Sequence, residues 1–174
     1  TNLVNNGKGY NYGVEITAER FLHKGMYYLL TVSLFESKYR GSDKVWRNTA
    51  FNSSYVINLL GGKEFSLNKK TSFGIDTKLT VTGGQRYTPF DASASEAAGY
   101  VIYKENDAFS NRNETYIRWD LKFSYTRNLK KVTQKWYIDL QNLTARENIY
   151  IRTFNPKTGV EGRINQIGFF PNIN

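Results

Sequence analysis

Alternation with a period of two residues runs through almost the whole chain, and the 3.6-residue period of an amphipathic helix is nearly absent. Only an extended strand sends successive side chains to opposite faces, so the pattern predicts an all-β, antiparallel fold. The clean stretches are residues 9–21, 26–37, 71–82, 116–126 and 132–143. In the first, Tyr12, Val14, Ile16 and Ala18 oppose Gly13, Glu15, Thr17 and Glu19; in the fourth, Ile117, Trp119, Leu121, Phe123 and Tyr125 oppose Arg118, Asp120, Lys122 and Ser124. Residues 51–65 alternate less clearly, because Tyr55, Val56, Ile57, Leu59 and Leu60 are apolar on both sides. A last strand is expected to begin near Arg163, after a turn at Asn155-Pro156-Lys157-Thr158-Gly159.

The apolar face of the clean stretches carries no charge, whereas the opposite face carries Glu15, Glu19, Asp76, Lys78, Arg118, Asp120, Lys122, Lys135 and Asp139. Turned inward, the apolar face would fill a soluble lipocalin-like barrel or sandwich around a small apolar ligand; turned outward, it would meet lipid around a polar lumen. Two features favour the second arrangement. The connections alternate short and long, at 22–25, 38–49, 66–70, 83–115, 127–131 and 144–162, as tight periplasmic turns and long outer loops do in outer-membrane barrels. Tyr10, Tyr12, Tyr116 and Trp119 fall near the long connections, and Phe21, Tyr28, Tyr125 and Trp136 near the short turns, where two interfacial girdles would sit. The predicted fold is therefore an up-and-down transmembrane β-barrel. Strands of about 9 to 11 residues suffice to cross, so the absence of a long apolar run, the least charged being 26–35, bears only on helices.

Several chemistries are disfavoured by composition. With no Cys and a single His, His23, which falls in a short turn, the chain lacks the ligands for a Cys or His metal site and the base of a Ser-His-Asp triad. Glu15 and Glu19 share a strand face but stand about 13 Å apart by strand rise, too far for a glycosidase pair. Gly61-Gly62 and Gly83-Gly84 lack the Lys-Ser/Thr of a phosphate loop and are expected to allow bulges or close backbone approach. The net charge of +9 would suit an anionic partner, but the one compact basic run, Lys130-Lys131, lies in a turn and the other charges mix in sign, so no nucleic-acid partner is expected. The chain is not expected to be an enzyme and calls for no metal or cofactor.

Several segments resemble the C-terminal part of the barrel of TonB-dependent outer-membrane receptors, especially the Bacteroidetes type with a carboxypeptidase-regulatory-like module upstream. They are Gly9-Tyr10-Asn11-Tyr12-Gly13-Val14-Glu15, Ser37-Lys38-Tyr39-Arg40-Gly41-Ser42-Asp43, Trp46-Arg47-Asn48-Thr49, Asn58-Leu59-Leu60-Gly61-Gly62-Lys63-Glu64-Phe65, Gly83-Gly84-Gln85-Arg86-Tyr87-Thr88-Pro89, Asp139-Leu140-Gln141-Asn142-Leu143-Thr144 and Gly168-Phe169-Phe170-Pro171-Asn172.

The resemblance implies that residues 1–174 supply about seven strands of a barrel of about 22, without the plug domain or the segment that contacts TonB. The implied partners are outer-membrane lipid and lipopolysaccharide, the rest of the barrel and its plug, TonB through the missing N-terminal part, and a scarce small solute such as a siderophore, corrinoid, glycan or peptide. The first six residues carry neither the basic head nor the apolar core of a signal peptide, and family members continue past the position of Asn174 to a terminal aromatic, so the chain is expected to be part of a longer one. The charged face would then line the lumen. Trp46 and Arg47 in the second connection, with Arg86, Tyr87 and Asp91 in the longest, are the candidates to contact solute, because aromatic and guanidinium groups stack on rings and chelate anions. Loop-to-loop packing is the competing role for the same residues.

Overall fold

The computed structural model describes residues 6–174. It is all-β and antiparallel apart from one short helix and one 3-10 turn. The main sheet is built from β1 (Lys8–His23), β2 (Met26–Arg40), β4 (Tyr55–Asn68), β5 (Thr71–Thr82), β8 (Tyr116–Asn128), β9 (Thr133–Gln141) and β12 (Phe170–Ile173), with the short β3 (Trp46–Asn48) folded back on β2. Each strand pairs with the next one in the chain in the order β1-β2-β4-β5-β8-β9-β12, which is an up-and-down meander. The sheet is open, with β1 and β12 at its edges.

Register carries the sequence pattern coherently across every strand. Ile16 faces Val32, Val32 faces Ile57, Ile57 faces Val81 and Val81 faces Ile117, one continuous apolar row. The next row runs through Leu30, Leu59, Leu79 and Trp119. A one-residue slip in any pair would turn a strand's apolar set to the other face, so the alternation itself locks the register. A shift between Arg20 and His23 inserts an extra β1 residue beside the first turn, and Leu22 thereby reaches the polar face next to Tyr27 and Asp76.

Nothing among the described residues covers the apolar face. Val14 is 68% exposed, Ile16 65% and Leu34 59%, while the only buried apolar side chains among the described residues are Phe90, Ala108 and Phe154, all in the connections. Burying one such aliphatic side chain is worth about 1.5 to 3 kcal/mol, so a face of this extent requires an apolar phase or partner against it.

The three tight turns, at 24–25, 69–70 and 129–132, lie at one end of the sheet, and the connections 41–54, 83–115 and 142–169 at the other. The short-long asymmetry read from the sequence is therefore a spatial one. Two expectations are corrected. Residues 160–165 form no part of the main sheet: β10 (Ile149–Asn155) and β11 (Val160–Asn165) make a separate hairpin around the Asn155 turn, and the closing strand is β12. The longest connection is also structured, with β6 (Arg86–Tyr87) paired to β7 (Asn111–Arg112), helix α1 (Ala92–Ala98) and a 3-10 turn at Glu105–Asp107.

Candidate functional site

The long connections fold into one layer with its own small core. Phe90 stacks on Phe154 at 5.5 Å and packs against Tyr103 at 5.3 Å, joining the 83–115 connection to the β10–β11 hairpin. Asp91 caps α1 by accepting the Ala94 N–H at 3.1 Å, and Gly99 closes the helix at a φ of 74°. The buried Asn148 exchanges two bonds with the Ile117 backbone, at 2.8 and 3.1 Å, so a side chain supplies the pairing that β8 lacks beyond the end of β9. Gly83 and Gly84 mark the close approach expected of them, since a Cβ on the first would collide with the Ser53 carbonyl and one on the second with the Asn113 carbonyl.

Between these loops lies a cleft of about 770 Å³, lined by aromatic rings, the Arg86 and Arg152 guanidiniums and Gln85. A recess of about 220 Å³ adjoins it through shared walls at Ala50, Gln85, Asn113, Ile149 and Gln166. Arg86 donates from Nε to the Asn52 carbonyl at 2.9 Å and from Nη1 to the Ser110 carbonyl at 3.4 Å. Arg152 donates from Nε to Asn113 Oδ1 at 2.6 Å and lies over the Tyr87 ring, 4.7 Å from its centroid. Arg112, opposite Arg86 in the β6–β7 pair, donates to Ser54 Oγ at 2.5 Å. Burial first, and then the neighbouring Arg112 charge, push Arg86 below the ordinary arginine value against the opposing influence of Glu36.

Of the residues singled out from the sequence, Arg86 and Tyr87 line this cleft. Asp91 is engaged in capping α1. Trp46 packs on Tyr10 at 4.9 Å with the Arg40 guanidinium 5.3 Å from its ring, and Arg47 pairs with Asp43 at 2.5 Å while donating to the Asn106 carbonyl at 3.0 Å. Those four contacts brace the loops. Sequence reasoning missed Arg152, Gln85 and Asn113 as cleft residues; an arginine in an unpatterned connection was the only signal, and nothing tied it to Tyr87.

The charged residues of the other face do meet across strands. Tyr27 Oη donates to Asp76 Oδ1 at 2.7 Å, and Lys122 Nζ lies 3.3 Å from Asp76 Oδ2. Arg118 pairs with Asp120 at 2.8 Å and donates to Gln141 Oε1 at 3.0 Å, whose amide donates in turn to Asp139 at 2.9 Å. Glu15 accepts from Ser33 Oγ at 2.7 Å. Glu19, Lys78 and Lys135 are solvent-exposed. The Tyr27 ring lies over Gly62, where any side chain would collide with it. Asn52 and Asn142, two of the three asparagines in glycosylation-type triplets, are buried. Among the described residues no cluster of His, Cys, Asp or Glu could hold a metal ion. Neither family models nor curated proteins nor solved structures yield a match to the chain.

Proposed function

We infer that this chain forms the C-terminal wall of a TonB-dependent outer-membrane receptor of the Bacteroidetes type, a plugged barrel of about 22 strands that takes up a scarce solute with energy delivered from the periplasm. The observation that carries this reading is the uncovered apolar face of a single meandering sheet whose other face is charged and hydrogen-bonded across strands. On β1, nine residue steps separate Tyr12 from Phe21, which at about 3.4 Å per residue and a tilt of about 40° is a band of about 23 Å, close to the lipid-facing height of such barrels. In this arrangement Val14, Ile16, Leu34 and Leu79 face lipid. Glu15, Glu19, Asp76, Lys78, Arg118, Asp120, Lys122, Lys135 and Asp139 face the lumen and the plug, and the open edges at β1 and β12 pair with the remainder of the barrel. The short turns lie on the periplasmic side and the loop layer, with Arg86 and Tyr87, faces outward to meet lipopolysaccharide and solute. No catalytic step is assigned to these residues.

The test is site-directed spin labelling of the full receptor in outer-membrane vesicles, at Ile16, Leu79 and Leu121 on one face and at Thr17, Thr80 and Lys122 on the other. Broadening by lipid-dissolved oxygen at the first set and by a water-soluble nickel chelate at the second is expected. A first set reached by neither probe would overturn the reading in favour of a soluble barrel or sandwich with a dry core.

A further inference from the structure

We propose that the cleft between the long connections is a binding site for a small anionic solute, a carboxylate or phosphate carried on a ring-bearing skeleton, held by the Arg86 and Arg152 guanidiniums over the aromatic walls. Placing solute in this layer rests on the reading of the long connections given above; the sign of its charge comes from the cleft alone.

The argument is one of incomplete compensation. Among the described residues, the ion pairs of the chain join Glu36, Asp43, Asp76, Asp120 and Glu114 to Lys38, Arg47, Lys122, Arg118, Arg146 and Arg163. Arg86, Arg112 and Arg152 have none of these partners. Their acceptors are neutral: the Asn52 and Ser110 carbonyls, Ser54 Oγ and Asn113 Oδ1. A guanidinium carries five N–H donors, and the bonds made by Arg86 and Arg152 fix the orientation of each fork while leaving donors open. Arg86 and Arg152, both partly withdrawn from water on the wall of the cleft, hydrogen-bond only to neutral groups, with Glu36 acting on Arg86 through space and not by contact. Such guanidiniums attract an anion, and a fork oriented in advance loses little freedom on chelating it.

The walls define the rest of the solute. Tyr39, Phe90, Tyr103, Phe109 and Tyr150 present rings, and Gln85, Asn113 and Gln166 present amides that donate to and accept from hydroxyls. A cleft of about 770 Å³ is within the range of small-molecule sites. Glu105 is the carboxylate on its wall and opposes an anion there.

The experiment is calorimetric titration of the full receptor in detergent with D-glucuronate, D-glucose and inorganic phosphate at fixed ionic strength. Glucuronate is expected to bind at least tenfold more tightly than glucose, with an affinity that falls as sodium chloride rises. Phosphate alone binding as well as glucuronate would assign the site to the free anion, whereas a preference for glucuronate assigns it to an acidic ring compound; both outcomes support the site. Arg152→Gln and Arg86→Gln should each weaken glucuronate at least tenfold, Arg86→Lys less so. Because Arg86 and Arg152 also brace the loops, Glu105→Gln, an exposed substitution, is the independent check and should tighten glucuronate severalfold. Equal affinity for glucuronate and glucose, or no response to Glu105→Gln, overturns the proposal. Failure here leaves the spin-label pattern unaltered, and failure of that pattern leaves the charge preference of the cleft unaltered, so the two readings fall separately.

Discussion

The Asp120 carboxylate accepts the backbone N–H of Asn142 at 2.8 Å while its partner Arg118 holds it at 2.8 Å from the same strand. One carboxylate thus joins the polar face of β8 to the point where β9 gives way to the last long connection. Asn142 continues the link by donating to the Arg146 carbonyl at 2.9 Å.

Asp120→Ala should therefore cost about 2 kcal/mol, in the range for charge-assisted bonds, because it removes the charged partner of Arg118, which keeps its bond to Gln141, and leaves the amide of the buried Asn142 without its acceptor. Asp120→Asn keeps an acceptor and should cost less. Urea unfolding of the refolded full protein in micelles measures both.

A charge on the apolar face meets lipid in the proposed arrangement, and one on the polar face meets water. Leu79→Arg should cost about 2 to 4 kcal/mol and block assembly, while its neighbour Thr80→Arg should assemble normally. The heat-modifiable migration of folded barrel on gels distinguishes the two.

Gly84→Ala places a methyl group against the Asn113 carbonyl, a backbone atom that cannot swing aside. A loss of about 1 to 3 kcal/mol in the loop layer is expected, with the sheet intact. Limited proteolysis should then cut within 83–115 in the variant before it cuts the wild type.

Asp91→Ala removes the acceptor that caps α1 and should cost about 1 kcal/mol. Faster amide exchange confined to Ala92–Ala98 is the expected signature.

The Val45 N–H, and then the Arg47 guanidinium, hold the Asp43 carboxyl below its ordinary value of 3.8. A group whose folded value is depressed contributes stability above the unfolded value and loses it as pH falls through the folded one. Protection of the Val45 amide should accordingly decline below about pH 4, and Asp43→Asn should abolish that pH dependence. Exchange measured between pH 7 and pH 3 tests this.

Strand identity and facing were legible in the sequence because both depend on neighbours two residues apart. Residues 71–82 form a strand with the expected bounds, the strands at 116–128 and 133–141 differ from expectation by two residues or fewer at each end, and the charged set from Glu15 to Asp139 lies on one face as read. What the alternation could not convey was the medium on either side of the sheet, since an inward and an outward apolar face have the same period. The connections were illegible for another reason. Pieces as short as β3, β6 and β7 have too few residues to show a period, and exist only because the chain returns to supply their partners. The β10–β11 hairpin drew residues 160–165 away from the sheet through its own turn at Asn155, so the closing strand began at Phe170. Arg86 and Tyr87 were visible as guanidinium and aromatic chemistry on a long connection. That Arg152 would lie on Tyr87, in one cleft with Arg86, was decided by the packing of the loop layer around Phe90 and Phe154. Local periodicity thus determined the strands and their two faces, whereas contacts between residues far apart in the chain determined the cleft.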